Sequence, residues 1–186
     1  MVSVKLSTMT QTPRVIKACV ALYEKADTPD GILELSDDEL RNLIKPVAHY
    51  NRKTLHIKEM CQQLIDRHSG KVPNNREKLL ALQGVGRKCV DIMMNFTFDK
   101  KAIAVDSHVH RVVNRIGFMK TLTPEQTADE LMQITPEKYI RHAHEYLIQL
   151  GMKVCVARSP KCYECSIANF CEYKNKQTVP KKSFLN

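Results

Sequence analysis

A pair of glycines, a lysine, an aspartate and four cysteines are the residues of this chain whose types and spacing could do chemistry. In "LQGVGRKCVDIMMNF" a helical pattern ends, turns through Gly84-Val85-Gly86 and restarts. Such a turn leaves the first N–H groups of the new helix pointing outward and unpaired, which makes an anion site. Glycine suits it if the turn calls for positive φ, and because a side chain would block the approach of a phosphate. Lys88 falls in the first turn of the new helix, where an ammonium faces the positive end of the helix dipole and gives up its proton more readily. An amine of that kind is a nucleophile able to form a Schiff base. The plainer role, a solvated lysine touching phosphate, stays open on local sequence. Asp106, in "AIAVDSHVHRVVNRIGF", follows the apolar run Ala102 to Val105 and precedes a helix. It can cap that helix, or it can stand beside the Lys88 amine and support positive charge on a sugar. Spacing does not choose between the two.

Four of the seven cysteines lie in "CVARSPKCYECSIANFC", where Cys155, Cys162, Cys165 and Cys171 follow a C-x6-C-x2-C-x5-C spacing. Disulfides are disfavoured in a reducing compartment. Structural zinc usually takes two short C-x2-4-C knuckles, and only one is present here. Four thiolates within one loop can also wrap a [4Fe–4S] cube, which tolerates wider gaps. The spacing favours the cube and leaves zinc open. Cys19, Cys61 and Cys89 fall on apolar helical faces and are read as small core residues.

Helices must position all of these groups. Thr12-Pro13 starts one with Val15, Ile16, Cys19 and Leu22 in helical spacing. Ser36 and Glu39 form a capping box ahead of Leu40, Leu43 and Ile44. Asn51 opens a segment with Leu55, Met60, Cys61, Leu64 and Ile65 on one face, stopped near Gly70. Asn74 with Glu77 caps the next helix. Ser107 to Gly117, Thr123-Pro124 onward, and Thr135-Pro136 to Gly151 supply three more. The punctuation predicts about eight short helices in an all-α chain, with a lysine-dotted tail from Lys174 to Lys182.

At 186 residues, 43% hydrophobic and 26% charged, the chain can bury a real core. No apolar run approaches the roughly 20 residues of a membrane span. The start, Met-Val-Ser-Val-Lys-Leu-Ser-Thr, lacks the layout of a signal peptide, so a cytoplasmic protein with free or ligating thiols is expected. A formal charge of +9 points to a polyanionic partner. Charge alone does not separate DNA from an anionic membrane or a plain solvated surface.

Taken in order, the glycine-turn stretch, the Asp106 stretch and the cysteine loop closely resemble the endonuclease III family, helix-hairpin-helix DNA glycosylases with a [4Fe–4S] cluster. "LYEKADTPDGILEL", "HYNRKTLHI" and "GKVP" extend the likeness over nearly the whole chain. The resemblance implies a two-lobed all-α fold, with residues 1–101 as the six-helix lobe carrying the hairpin and 102–186 as the cluster lobe. It implies a bifunctional DNA glycosylase and AP lyase acting on oxidised pyrimidines in base excision repair. Lys88 matches the family nucleophile and Asp106 its catalytic aspartate. A damaged base flips out of the duplex, the amine attacks C1′, and β-elimination follows from the Schiff base. By the same likeness Gly84, Val85, Gly86 and Arg87 contact DNA as the hairpin. Cys155, Cys162, Cys165 and Cys171 ligate the [4Fe–4S] cluster, whose loop offers Arg158 and Lys161 to phosphates. The implied partner is double-stranded DNA with a damaged base or abasic site. The protein would act as a nucleoid-associated cytoplasmic monomer with no membrane role.

The chain departs from the family in places. Family members carry a further segment before the point that matches Met1, contributing a helix to the cluster lobe. Where the family has glutamine and leucine to fill the gap left by the flipped nucleotide, this chain has Met9 and His49, which offer the orphan base different hydrogen bonds. His108 matches a family histidine and His110 does not. The pairs His108/His110 and His142/His144 are not read as metal sites, because residues two apart on a helix point different ways. Two other readings compete. One is a monofunctional mismatch glycosylase resembling adenine DNA glycosylase, whose members lack lysine at the position of Lys88. The other is a catalytically idle DNA-binding relative.

Overall fold

Most of the helix punctuation is realised in a computed structural model that describes residues 1–179, and the end of the lysine-dotted tail, residues 180–182, lies outside it. The chain divides into two compact units, Met1–Phe98 and a second that begins at Asp99. Every regular element among the described residues is helical.

The first unit holds α1 (Val2–Ser7), α2 (Thr12–Tyr23), α3 (Pro29–Glu34), α4 (Asp37–Ile44), α5 (Tyr50–His68), α6 (Arg76–Leu80) and α7 (Arg87–Ile92), which runs on as a π-type turn over Met93–Thr97. Pro13 stands in the first turn of α2, where its missing N–H costs nothing. The capping box of α4 is complete: Glu39 N donates to Ser36 Oγ at 3.2 Å and Ser36 N to Glu39 Oε2 at 2.7 Å. Those bonds hold the Glu39 carboxyl below its ordinary value. The cap of α6 is Asn75 rather than Asn74, its side chain accepting from Lys78 N at 3.0 Å. The buried core joins Leu6, Ala18, Leu22, Leu40, Ile44, Ile57 and Cys61. Truncating one of these leucines to alanine costs about 2–5 kcal/mol, a large part of the stability of such a unit.

Two inward faces differ from the sequence expectation. In α5 the buried residues are Lys53, Thr54, Ile57, Met60, Cys61 and Leu64, whereas Leu55 is exposed. In α2, Val15, Ala18 and Leu22 turn inward and Ile16 is exposed. Two helices of six residues that the punctuation did not mark, α1 and α3, raise the number of α-helices among the described residues to ten. Of the three cysteines assigned to the core, Cys61 and Cys89 are buried and Cys19 is half-buried. Burial pushes the Cys61 thiol up to about 11.

The second unit opens with the buried run Ala102 to Val105, followed by α8 (Ser107–Ile116), α9 (Pro124–Ile134) and α10 (Glu137–Lys153). Single 3-10 turns follow at Cys162–Glu164 and Ala168–Phe170. Its core joins Ile103, Val105, Val109, Val113, Met119, Leu131 and Ile140. α8 and α10 approach closely at Gly151, where an added Cβ would lie 3.0 Å from His108 Cβ and 3.1 Å from its carbonyl oxygen. No described helix is long and apolar enough to cross a membrane.

Candidate nucleic-acid interface and cysteine loop

In the first unit, the turn between α6 and α7 and the loops before α2 and α5 surround one groove of about 760 Å³. Met9, His49, Gly84, Val85 and Gly86, singled out by the sequence, all line it. Lys5, Arg52 and His56 line it as well, and sequence reading had missed them. No carboxylate lies among the lining residues, so the groove is a basic surface suited to a polyanion. Met9 is 82% exposed and His49 is exposed, and each has φ of 55°. A left-handed conformation costs a non-glycine residue about 1–2 kcal/mol, so both loops must be held by their surroundings.

The two glycines of the turn serve different ends. Gly84 has φ of +68°, and a Cβ there would collide with the Lys5 amine and stand 2.8 Å from His56 Nδ1. Gly86 has φ of −95° and caps α7, and a Cβ there would meet nothing within 4 Å. The expected positive φ is therefore found at Gly84 and not at Gly86, whose missing side chain leaves open space over the start of α7. Val85 is 6% exposed, so its contribution to the groove comes from the backbone. Lys5, itself buried, donates its amine to Gly84 O, and Gln83 N donates to Gln63 Oε1 at 2.7 Å. These bonds fasten the turn to α1 and α5. Burial lowers the Lys5 pKa, with Cys89 and Arg52 adding smaller opposed effects.

Arg87 and Lys88 are the first two residues of α7, and both are half-buried. Arg87 Nε stands 3.6 Å from Asp91 Oδ2, and Arg76 pairs with Oδ1 of the same buried carboxylate. Burial pushes Asp91 up and the two guanidinium groups pull it back down. Arg87 is thus aimed by a carboxylate one turn along its own helix.

In the second unit Asp106 does cap α8: its Oδ1 accepts from His108 N at 2.9 Å and Val109 N at 3.0 Å. From α8, Arg111 and Arg115 reach the cysteine loop. Arg111 donates to Gly151 O at 2.7 Å and Cys155 O at 3.0 Å. Arg115 donates to Val156 O at 2.8 Å, to Ala157 O at 2.9 Å and to Cys155 Sγ at 3.6 Å, and lies 4.6 Å from the centre of the Tyr173 ring. Two guanidinium groups thus satisfy carbonyls at the end of α10 and at Cys155, Val156 and Ala157 of the loop.

Cys155, Cys162, Cys165 and Cys171 line a single recess with Ile116, Leu150, Val154, Ala168 and Tyr173. Among the described residues no three His, Cys, Asp or Glu side chains converge on a single-ion site. Four thiols lining one mostly apolar recess supply one ligand for each iron of a [4Fe–4S] cube. Tyr173 N lies 3.5 Å from Cys171 Sγ and, with Arg115, gives two of the sulfurs donors. Arg158 and Lys161 are exposed between the first two cysteines, Lys161 in a surface pair with Glu164 at 3.6 Å. The histidines have other partners. His144 Nδ1 is 2.7 Å from Ala104 O in the core, and His110 Nδ1 is 2.6 Å from Thr127 Oγ1.

Residues 2–137 match the model of the HhH-GPD superfamily base excision DNA repair protein, and residues 155–171 that of the iron-sulfur binding domain of endonuclease III. Endonuclease III of Buchnera aphidicola subsp. Baizongia pistaciae is 42% identical over 176 residues, 95% of this chain and 82% of that protein. A trapped endonuclease III–DNA covalent intermediate in an estranged-adenine complex matches with a TM-score of 0.87 at 34% identity, covering 91% of this chain and 80% of the other. A thermostable thymine-DNA glycosylase matches with a TM-score of 0.83 at 27% identity, covering 92% and 81%.

Proposed function

Because the chain belongs to the endonuclease III family of the HhH-GPD superfamily of base excision DNA repair proteins, we propose that it is a bifunctional DNA glycosylase and AP lyase that removes oxidised pyrimidines from duplex DNA. It acts as a monomer in the cytoplasm, at the nucleoid. The observation that carries this reading is the likeness, at 34% identity, to an endonuclease III trapped as a covalent intermediate with DNA. A covalent intermediate requires a nucleophile, and Lys88 supplies an amine at the second residue of α7, just beyond the turn that lines the basic groove.

In this account the backbone of Gly84 to Gly86 and the Arg87 guanidinium hold the phosphates beside the lesion. Met9 and His49 enter the space the flipped nucleotide leaves. The neutral Lys88 amine attacks C1′, forming a C1′–N bond as the bond to the base breaks and the base departs with that electron pair. Ring opening gives the protonated Schiff base. Loss of a C2′ proton then expels the 3′ phosphate and breaks the strand. The Asp106 carboxylate supports the positive charge that grows on the sugar. The [4Fe–4S] cluster, held by Cys155, Cys162, Cys165 and Cys171, supplies a rigid inorganic core for its loop. Arg158 and Lys161 give that loop two further phosphate contacts without sequence preference.

A thymine-glycol duplex tests the reading: wild type releases the base and nicks the strand, and Lys88→Ala does neither. Base release without nicking by wild type would instead favour the mismatch-glycosylase reading, to which the thymine-DNA glycosylase likeness lends some support. Tight binding with neither activity would favour an idle DNA-binding relative.

A further inference from the structure

Lys53, in the first turn of α5, is 4% exposed. Burying an ammonium costs several kcal/mol unless each of its hydrogens finds an acceptor. Here all three do: the amine lies 2.8 Å from Leu6 O, 2.7 Å from Thr8 O and 3.1 Å from Thr10 Oγ1. The Thr10 hydroxyl accepts in turn from Ala48 N at 3.0 Å and donates to Thr8 O at 3.2 Å. Lys53 N donates to His49 O at 3.0 Å. The oxygens around the amine belong to the end of α1 and the loop that carries Met9, and Ala48 directly precedes His49. One amine and one hydroxyl therefore join the two loops that present left-handed, exposed residues to the groove.

Stability alone does not call for an amine at this position. An apolar chain of similar shape would fill the space without desolvating a charge. Met9, at 82% exposure, has little side-chain packing to fix it, so its position depends on the backbone of its loop. Resting on the reading that Met9 and His49 fill the gap left by a flipped nucleotide, we propose that Lys53 is the positioning residue that locks the two as a pair. Its removal unpins both loops together. Distortion of the duplex suffers, and chemistry at an exposed abasic aldehyde does not.

The test uses the full chain with its cluster, as wild type, Lys53→Met, Thr10→Val, Met9→Gly and the double variant K53M/M9G. The probe is a duplex with a tetrahydrofuran abasic analogue opposite 2-aminopurine, read as affinity and as the fluorescence rise on unstacking. In parallel, borohydride trapping on a single-stranded abasic oligonucleotide, which has no stack to fill, reads the chemistry alone. Lys53→Met is expected to weaken duplex affinity about tenfold, since the amine's three bonds between the loops are lost, and to quench the fluorescence rise. Single-strand trapping stays at the wild-type level. Thr10→Val changes duplex binding in the same direction, and the double variant loses less than the sum of its single losses, because Lys53 acts through Met9.

A Lys53→Met protein with wild-type affinity and fluorescence overturns the inference. So does an additive double variant, or a parallel loss of single-strand trapping, which would mark Lys53 as a general prop of the fold. Should Lys53→Met not fold, Thr10→Val decides: an unchanged duplex signal there overturns the proposal. If wild type neither unstacks the probe nor traps, the glycosylase reading beneath the inference falls with it, and that outcome is distinct from the others.

Discussion

Gly84→Ala and Gly86→Ala, two residues apart, should have opposite consequences. At Gly84, φ of +68° costs alanine about 1–2 kcal/mol. The new Cβ would also stand 2.8 Å from His56 Nδ1 and collide with the Lys5 amine, and overpacking of this kind costs about 1–3 kcal/mol. The stiffer unfolded chain returns about 0.4–1 kcal/mol. The net destabilisation is about 1–5 kcal/mol. At Gly86, φ of −95° and ψ of 172° suit alanine, and its Cβ would meet nothing within 4 Å. Replacing glycine as N-cap costs about 0.5–1 kcal/mol, which the same unfolded-state gain of about 0.4–1 kcal/mol offsets. Urea unfolding followed by circular dichroism, with slopes checked for equality, should show Gly84→Ala much weakened and Gly86→Ala close to wild type. Affinity for an abasic-analogue duplex should nonetheless fall in Gly86→Ala, because its methyl group stands where the phosphate approaches. Equal stability of the two variants would refute the account of the turn. Full affinity in Gly86→Ala would refute the placing of the phosphate.

Three more tests bear on other parts of the molecule. Asparagine caps a helix as well as aspartate does, so Asp106→Asn should unfold like wild type while base release collapses, and Asp106→Ala should also lose about 0.5–2 kcal/mol of stability; the two rates, set beside melting curves, separate the cap from the charge. Arg158→Ala and Lys161→Ala should each flatten the plot of log Kd against log salt by about one unit, and a slope unchanged in the double variant would remove the cysteine loop from the interface. Burial lowers Lys53 to about 8, with repulsion from Lys5 adding to the effect, against 10.5 in its ordinary state. Between those values the unfolded chain keeps the proton that the folded chain has released, so stability should rise with pH across that window. Urea midpoints at several pH values should show the rise in wild type and a smaller one in Lys53→Met, where only the lowered amine of Lys5 remains, and parallel profiles would contradict it.

The helix ends were legible because their signals are local. Ser36 and Glu39 need only each other, and Thr123 caps α9 through Gln126 N three residues on. The cysteine loop was legible from spacing, and its ligand type became definite through the family likeness. What stayed hidden depends on partners distant in the chain. Apolar periodicity put Leu55 on the inner face of α5, yet the amine of Lys53 turns inward because Leu6, Thr8 and Thr10, more than forty residues earlier, offer it oxygens. Nothing in the sequence around α8 marks Arg111 and Arg115, and only the folded loop shows the carbonyls they serve. Gly84 and Gly86 carry the same letter, and the difference between a left-handed turn and a clear approach is invisible until φ is known.

The proposed chemistry joins the Lys88 amine covalently to C1′ of the lesion sugar. Reaction with an abasic duplex in the presence of borohydride, followed by proteolysis and mass measurement of the adduct, tests it most directly. The expected result is a sugar-bearing peptide in which Lys88 alone carries the added mass, and no adduct from Lys88→Ala. An adduct on Lys5, Lys53 or any other amine, or one that persists in Lys88→Ala, would contradict it.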